Sequence, residues 1–133
     1  MSELGAGVRV VVADDDADIR ALVSIAVKKS GMHMAASVGD GDSAWDAITA
    51  HRPDLVVLDV SMPGKSGLEL CQLIRADVSL RSTRIMLLSA GATEASQQAG
   101  LDAGADEYHV KPFSPKELAV RLADLGNLSR VTA

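Results

Sequence analysis

Cysteine and aromatic side chains are scarce in these 133 residues, with one Cys, one Trp, one Tyr and one Phe. A lone Cys71 excludes an internal disulfide. It reads as a small core residue in a reducing compartment rather than as a redox centre. With so few aromatics, the core has to be built from Val, Leu, Ile, Ala and Met, which suits close-packed helices on a sheet. Hydrophobic residues make up 47% of the chain, yet no apolar stretch approaches the ~20 residues of a membrane span. The opening MSELGAG has neither the basic flank nor the apolar run of a secretory signal. Basic excess is absent as well: a net charge of −5 argues against direct nucleic-acid binding, which wants a basic face. The expectation is a single cytoplasmic domain over 1–133, with its core at about 8–125 and short tails at both ends.

What is present is alternation. VRVVVA (Val8 to Ala13), DLVVLD (Asp54 to Asp59) and RIMLLSA (Arg84 to Ala90) are short, apolar and β-branched, as buried strands are. HMAAS (His33 to Ser37) and DEYHV (Asp106 to Val110) are weaker strand signals. Between them, Ile19, Leu22, Val23, Ala26 and Val27 recur at helical spacing up to Gly31, with Asp16 and Asp18 suited to the helix N-terminus. A second helix is expected from Ser43 to about Ala50. Two more helices carry capping boxes, Ser66 to Glu69 and Ser114 to Glu117. In the second box Pro115 takes the first helical position and Phe113 is placed to staple onto Leu118. Thr93 to Ala103, with Gly100 inside and Leu101 as its one large apolar residue, predicts a marginal, mobile helix. Five β–α repeats predict an α/β, doubly wound three-layer sandwich on a parallel sheet with right-handed crossovers.

Open parallel sheets gather ligands beyond the carboxyl ends of their strands. The first strand ends in Asp14 and Asp15, the third in Asp59, the fourth in Ser89, and the fifth runs into Lys111 and Pro112. Each has a commonplace use alone, as a solvated turn, a helix cap or a strand end. Together they place three carboxylates, a hydroxyl and an amine at one edge. Crowded carboxylates repel and raise one another's pKa. A divalent, oxygen-seeking cation relieves that, and Mg²⁺ is the natural occupant. A cation and a lysine clamp a phosphoryl group, and a carboxylate inside the clamp can be the nucleophile. Asp59, closing an apolar strand that has no structural use for an acid, is therefore the candidate for phosphorylation.

VVADDDADIRAL, DLVVLDVSMPGKSGLEL, IMLLSAGA and GADEYHVKPFSPKELAVRL resemble, in order, the motifs of the receiver domain of bacterial two-component response regulators. The resemblance runs from about Val8 to Leu125. It implies a flavodoxin-like (βα)5 fold with strand order 2-1-3-4-5. Asp59 would be the phosphoacceptor, with Asp14, Asp15 and the Ser61 carbonyl around Mg²⁺, Asp15 directly and Asp14 through water. Ser89, Lys111 and the Ala90 amide would hold the phosphoryl group, and Lys111–Pro112 would be cis. Tyr108 would be a switch aromatic that follows Ser89, altering the helix 4–strand 5–helix 5 face. Ser61 and Gly91 would tune the lifetime of the phosphorylated state, both small enough to leave water access open.

A phosphoacceptor of this kind is not a turnover enzyme. It catalyses only its own phosphorylation and dephosphorylation. The phosphoryl group would come from a histidine kinase or phosphotransfer protein, since His33, His51 and His109 read as exposed and uncommitted. Downstream, the switched face would bind a protein target or a second copy, with no membrane partner. A dehalogenase-type phosphatase would also use a strand-ending aspartate, but it needs an acid where Ser61 stands, and no cap domain is evident. A degenerate receiver acting only as an interaction module is the second alternative. The third is the receiver part of a larger DNA-binding transcription regulator. FSPKEL resembles receivers of that group, and Glu107, Glu117 and Arg121 fall where its dimer face pairs charges. Gln97 stands where a basic partner is usual.

Overall fold

The computed structural model describes residues 7–91 and 93–132, the side chains of 127–132 excepted. Strands β1 (Arg9–Ala13), β2 (His33–Val38), β3 (Leu55–Asp59), β4 (Arg84–Ser89) and β5 (Glu107–Val110) alternate with helices α1 (Ala17–Lys29), α2 (Gly41–His51), α3 (Gly67–Ala76), α4 (Glu94–Asp102) and α5 (Pro115–Thr132). A 3-10 turn, Val78–Leu80, precedes β4. The five strands form one parallel sheet in the order β2-β1-β3-β4-β5. Strand order reverses at β1, and its carboxyl end lies beside that of β3.

Successive strand residues point to opposite faces, and two cores follow from that. Val10, Val12, Leu55, Val57, Met86 and Leu88 face α1 and α5. Val11, Ala13, Val56, Leu58, Ile85 and Leu87 face α2 and α3. Every residue of β3 is buried, so only its last one, Asp59, comes near solvent. Cys71 lies in the second core, fully buried. Burial, against the weaker opposing pull of Arg75, pushes its thiol up to about 12. Thiol reagents should label the native protein roughly 100-fold more slowly than the urea-unfolded chain, as timed with a chromogenic disulfide; comparable rates would place Cys71 at the surface.

Caps fix most helix starts. Asp16 accepts hydrogen bonds from the N–H groups of Asp18 and Ile19. Ser66 and Glu69 form both halves of their capping box, and Ser114 Oγ accepts from Glu117 N at 3.4 Å. Phe113 packs in the cluster that holds Leu118. Helix α2 starts two residues before Ser43, because Asp40 and not Ser43 is its cap. Helix α5 continues through Thr132, beyond Leu125. In α4, Thr93 and Ser96 cap one another and Gly100 is the one buried residue. Its glycine is a fitted contact: a Cβ there would lie 2.8 Å from the Tyr108 ring and 3.0 Å from Leu87.

Candidate functional site

Asp14, Asp15 and Asp16 follow β1 directly, and the fold gives them three different tasks. Asp14 is fully buried. Its N–H donates to Val38 O at 3.1 Å, and its Oδ1 accepts from Asp16 N at 2.9 Å. Asp15 is exposed at the pocket rim, and Asp16 caps α1. Asp59, at the end of β3, is 5% exposed, and its Oδ1 accepts from Ser61 N at 3.2 Å. Lys111 enters from the end of β5, where its N–H donates to Ser89 O at 2.7 Å, and its bond to Pro112 is cis. Lys111 Nζ stands 2.8 Å from Asp14 Oδ2 and 3.5 Å from Asp59 Oδ2.

Carboxylate oxygens of Asp14, Asp15 and Asp59 all lie within 4.8 Å of one another. Asp14 Oδ2 is buried, with the Lys111 ammonium 2.8 Å away as its charged partner. Three clustered carboxylates, two of them buried, form a set of hard oxygen donors that fits a divalent hard cation. Burial raises the pKa of Asp59 to about 6, with Asp14 adding to the shift and the Ser61 amide and Lys111 opposing it. Loss of hydration is therefore the leading cause, ahead of the carboxylate repulsion that the spacing of the acids suggests. Burial opposes the charge on Lys111, but attraction to Asp14 and Asp59 outweighs it and holds the ammonium above its usual pKa.

Asp59 makes folding depend on pH in a defined direction. Between about pH 4 and about pH 6 the folded chain keeps a proton on Asp59 that the unfolded chain has released. Stability from this group is therefore largest at low pH and falls as pH rises through that window. Because the pocket mouth is open to water, the loss is about 1–2 kcal/mol, less than the whole shift would carry. Without divalent cations, Asp59→Asn should be more stable than wild type by about that amount at pH 7. It should also flatten this part of the profile, read from urea denaturation at a series of pH values. An unchanged profile would mean that Asp59 is ordinary.

The hydroxyl of Ser89 is the exception among the convergent groups. Ser89, with Ala90 and Ser61, lines the pocket that holds Asp59. Its Oγ, however, donates to Gly91 O and accepts from Gly91 N at 3.2 Å. A short loop of its own satisfies the hydroxyl. Tyr108 is half-buried on the other core face, its ring over Gly100 and its hydroxyl 3.5 Å from Ser96 Oγ. Glu107 and Arg121 pair within the chain, Arg121 Nη2 donating to Oε2 at 2.6 Å and Nε to Oε1 at 3.0 Å. Burial works against the Glu107 charge, but Arg121 and His109 outweigh it and lower its pKa. Glu117 lies apart in the first turn of α5.

His33 is exposed, but the other two histidines are committed. His109 Nε2 is 2.7 Å from Glu107 Oε1, and His51 Nδ1 is 3.2 Å from Arg9 Nη2. Arginine only donates, so His51 Nδ1 accepts there.

Of the groups that frame the loop after β3, sequence reasoning marks Gly64 and Gly67 as turn residues and misses Gly41. A Cβ on Gly67 would lie 2.5 Å from the carbonyl oxygen of Asp59, and one on Gly41 would lie 1.8 Å from that of Lys65. Gly64, at φ +79, faces Asp42, whose Oδ1 is 2.7 Å from Lys65 Nζ. The glycine pair in PGKSG is a visible turn signal, whereas Gly41 carries none. Arg20, which donates to Asp14 O at 2.7 Å, lies within VVADDDADIRAL, but nothing in that stretch assigns it a role.

The response regulator receiver domain family matches residues 10–123. The DNA-binding response regulator MtrA of Mycolicibacterium paratuberculosis is 40% identical over 114 residues, 86% of this chain and 49% of that protein. The phosphate regulon transcriptional regulatory protein PhoB of Klebsiella pneumoniae is 37% identical over 114 residues, 86% of this chain and 49% of that protein. The chain thus spans about half the length of the curated relatives it matches. Among solved structures, the receiver domain of the Francisella response regulator 1452 superposes with a TM-score of 0.83 at 30% identity, covering 92% of this chain and 99% of that one. The chemotaxis response regulator CheY4 of Vibrio cholerae gives 0.81 at 29% identity, covering 89% and 98%.

Proposed function

This chain belongs to the response regulator receiver family, and from that premise we propose that it is a Mg²⁺-dependent phosphoacceptor switch with Asp59 as the acceptor. The observation that carries the reading is the juxtaposition of Asp59, two further carboxylates and the Lys111 ammonium at one end of the sheet. The donor is a phosphohistidine on a histidine kinase or phosphotransfer protein. An Asp59 carboxylate oxygen attacks phosphorus, the new P–O bond forming as the donor's P–N bond breaks. The electron pair returns to the imidazole nitrogen, and with its other nitrogen already protonated the ring leaves as neutral imidazole. Lys111 neutralises charge on the transferring oxygens. Asp14, Asp15, Asp59 and the Ser61 carbonyl would hold Mg²⁺, which supplies Lewis-acid neutralisation and alignment of the phosphoryl group.

Phosphorylation adds about two negative charges at Asp59. Ser89 then exchanges its Gly91 partner for a phosphoryl oxygen, with the Ala90 amide as a second donor. Tyr108 leaves its seat on Gly100 and shifts the α4–β5–α5 face. A downstream protein or a second copy reads that face. Glu107, Glu117 and Arg121 contribute to such a dimer only if the internal Glu107–Arg121 pair opens. Ser61 and Gly91 set the lifetime of the acyl phosphate. Location in the cytoplasm goes with this reading, and no helix among the described residues is long and apolar enough to cross a membrane. The DNA-binding relatives, of which the chain spans about half, favour a second reading in which this receiver regulates an attached DNA-binding output.

The test is the intact mass after incubation with acetyl phosphate, with and without Mg²⁺. The expected result is one phosphoryl group per chain, formed only with Mg²⁺. No adduct together with no Mg²⁺ binding by calorimetry would leave a degenerate module that works through its surface alone.

A further inference from the structure

Asp14 is held from both sides of its own backbone. On the N-terminal side its N–H donates to Val38 O of β2. On the C-terminal side, Arg20 reaches back from α1 and Nη1 donates to the Asp14 carbonyl at 2.7 Å. That carbonyl belongs to the peptide joining Asp14 to Asp15, so the guanidinium fixes the plane from which Asp15 departs. The Arg20 N–H also donates to Asp16 O at 3.1 Å. One residue therefore closes the whole Asp14–Asp16 turn, with its backbone at one end and its side chain at the other.

Space for this contact comes from Gly39, in the turn between β2 and α2. A Cβ on Gly39 would lie 3.2 Å from Arg20 Nη1 and 4.0 Å from Asp14 O. Arg20 is half-buried, and among the described residues no carboxylate pairs with its side chain. A half-buried guanidinium spent on one backbone carbonyl needs a reason, and the neighbouring acids provide it. Asp15 is exposed, and repulsion from Asp14 and Asp59 favours its swinging out to water. Recovering it costs cation affinity unless the backbone already aims it inward. A charge-assisted hydrogen bond to the preceding peptide does that.

We infer that Arg20, admitted by Gly39, is a positioning residue for the divalent-cation site, fixing the Asp14–Asp15 peptide so that Asp15 faces Asp14 and Asp59. It touches neither the cation nor the phosphoryl group. The inference deepens the phosphoacceptor reading and rests on it for the presence of the cation.

The experiment is calorimetric titration of Mg²⁺ into the full chain, for wild type, Arg20→Gln, Gly39→Ala and the double variant, with circular dichroism on each. Loss of a group that orients a ligand typically weakens metal binding by about 10- to 100-fold. Arg20→Gln is expected to raise the Mg²⁺ dissociation constant about 10-fold, and Gly39→Ala, which displaces the guanidinium by only tenths of an ångström, by a smaller factor. The double variant should bind no more weakly than Arg20→Gln alone, because both changes remove the same contact. A merely structural role would lower stability without this non-additivity. If Arg20→Gln does not fold, Gly39→Ala alone decides, since it leaves every charge in place. Unchanged affinity in the folded variants, or factors that multiply in the double variant, would overturn the inference while wild-type binding and phosphorylation stood. No Mg²⁺ binding by wild type would remove both readings together.

Discussion

Asp59→Asn is expected to abolish phosphoryl uptake from acetyl phosphate altogether. The amide keeps the shape of the side chain but offers no carboxylate oxygen to form the acyl phosphate. Because Asp59 carries a raised pKa in a buried setting, the variant should be the more stable protein. Loss of uptake then cannot be blamed on unfolding. Lys111→Arg is the companion test. It keeps the positive charge that Asp14 and Asp59 require at 2.8 and 3.5 Å but replaces a compact ammonium with a broad planar fork. Electrostatic groups aimed at a developing oxyanion are worth roughly 100- to 1,000-fold in rate. The adduct should therefore form about that much more slowly in time-resolved intact mass, with circular dichroism unchanged. Adduct at the wild-type rate on Asp59→Asn would place the acceptor elsewhere.

Gly41→Ala should be strongly damaging, because its added methyl would meet backbone closer than at Gly39, Gly64, Gly67 or Gly100. In an isolated helix, alanine for glycine would help by about 1 kcal/mol. In this fold the new Cβ would sit 1.8 Å from Lys65 O and 2.5 Å from Lys65 N and C. These are backbone atoms, so no side-chain rotation relieves the overlap. The strand-to-helix loop over residues 60–66 has to move, breaking the Gly41 N–H bond to Pro63 O at 2.9 Å. A net loss of about 3 kcal/mol is expected from overpacking against a rigid neighbour, read from urea denaturation. The same loop carries Ser61, so Mg²⁺ binding should weaken in parallel. Gly91→Ala is the control: a Cβ there meets nothing within 4 Å, and its stability should stay within about 0.5 kcal/mol of wild type. A tolerated Gly41→Ala would mean that α2 and this loop are not in contact.

The Glu107–Arg121 pair shows how a sequence reading and a fold can use the same residues differently. In the sequence, the two charges fall on positions suited to pairing between two copies. In the structure, β5 and α5 bring them within 2.6 Å of each other in one chain, where they satisfy one another first. Ser89 is similar. A strand-ending hydroxyl beside the acids reads as a phosphoryl ligand, and in this structure it is hydrogen-bonded to Gly91. Both differences have one cause. Sequence order tells which strand end a residue occupies, but the partner a polar group takes depends on what lies within about 3 Å.

The sequence by itself determined the α/β alternation, the capping boxes on α3 and α5, and the set of strand ends that carry Asp14, Asp15, Asp59, Ser89 and Lys111. These features are local: periodicity, branching and cap chemistry act over a few residues, and a parallel sheet sends each strand's carboxyl end to the same side. Tertiary structure alone decided which of the three consecutive acids is buried, which is exposed and which is a cap. It also decided that burial more than repulsion raises Asp59, and that Gly41, Gly100 and Arg20 matter at all. Those outcomes depend on atoms distant in the chain, Lys65 against Gly41 and Tyr108 against Gly100, meeting at separations where a single methyl group changes the answer. Hydration and overlap are properties of the packed three-dimensional neighbourhood, and no spacing along the chain encodes them.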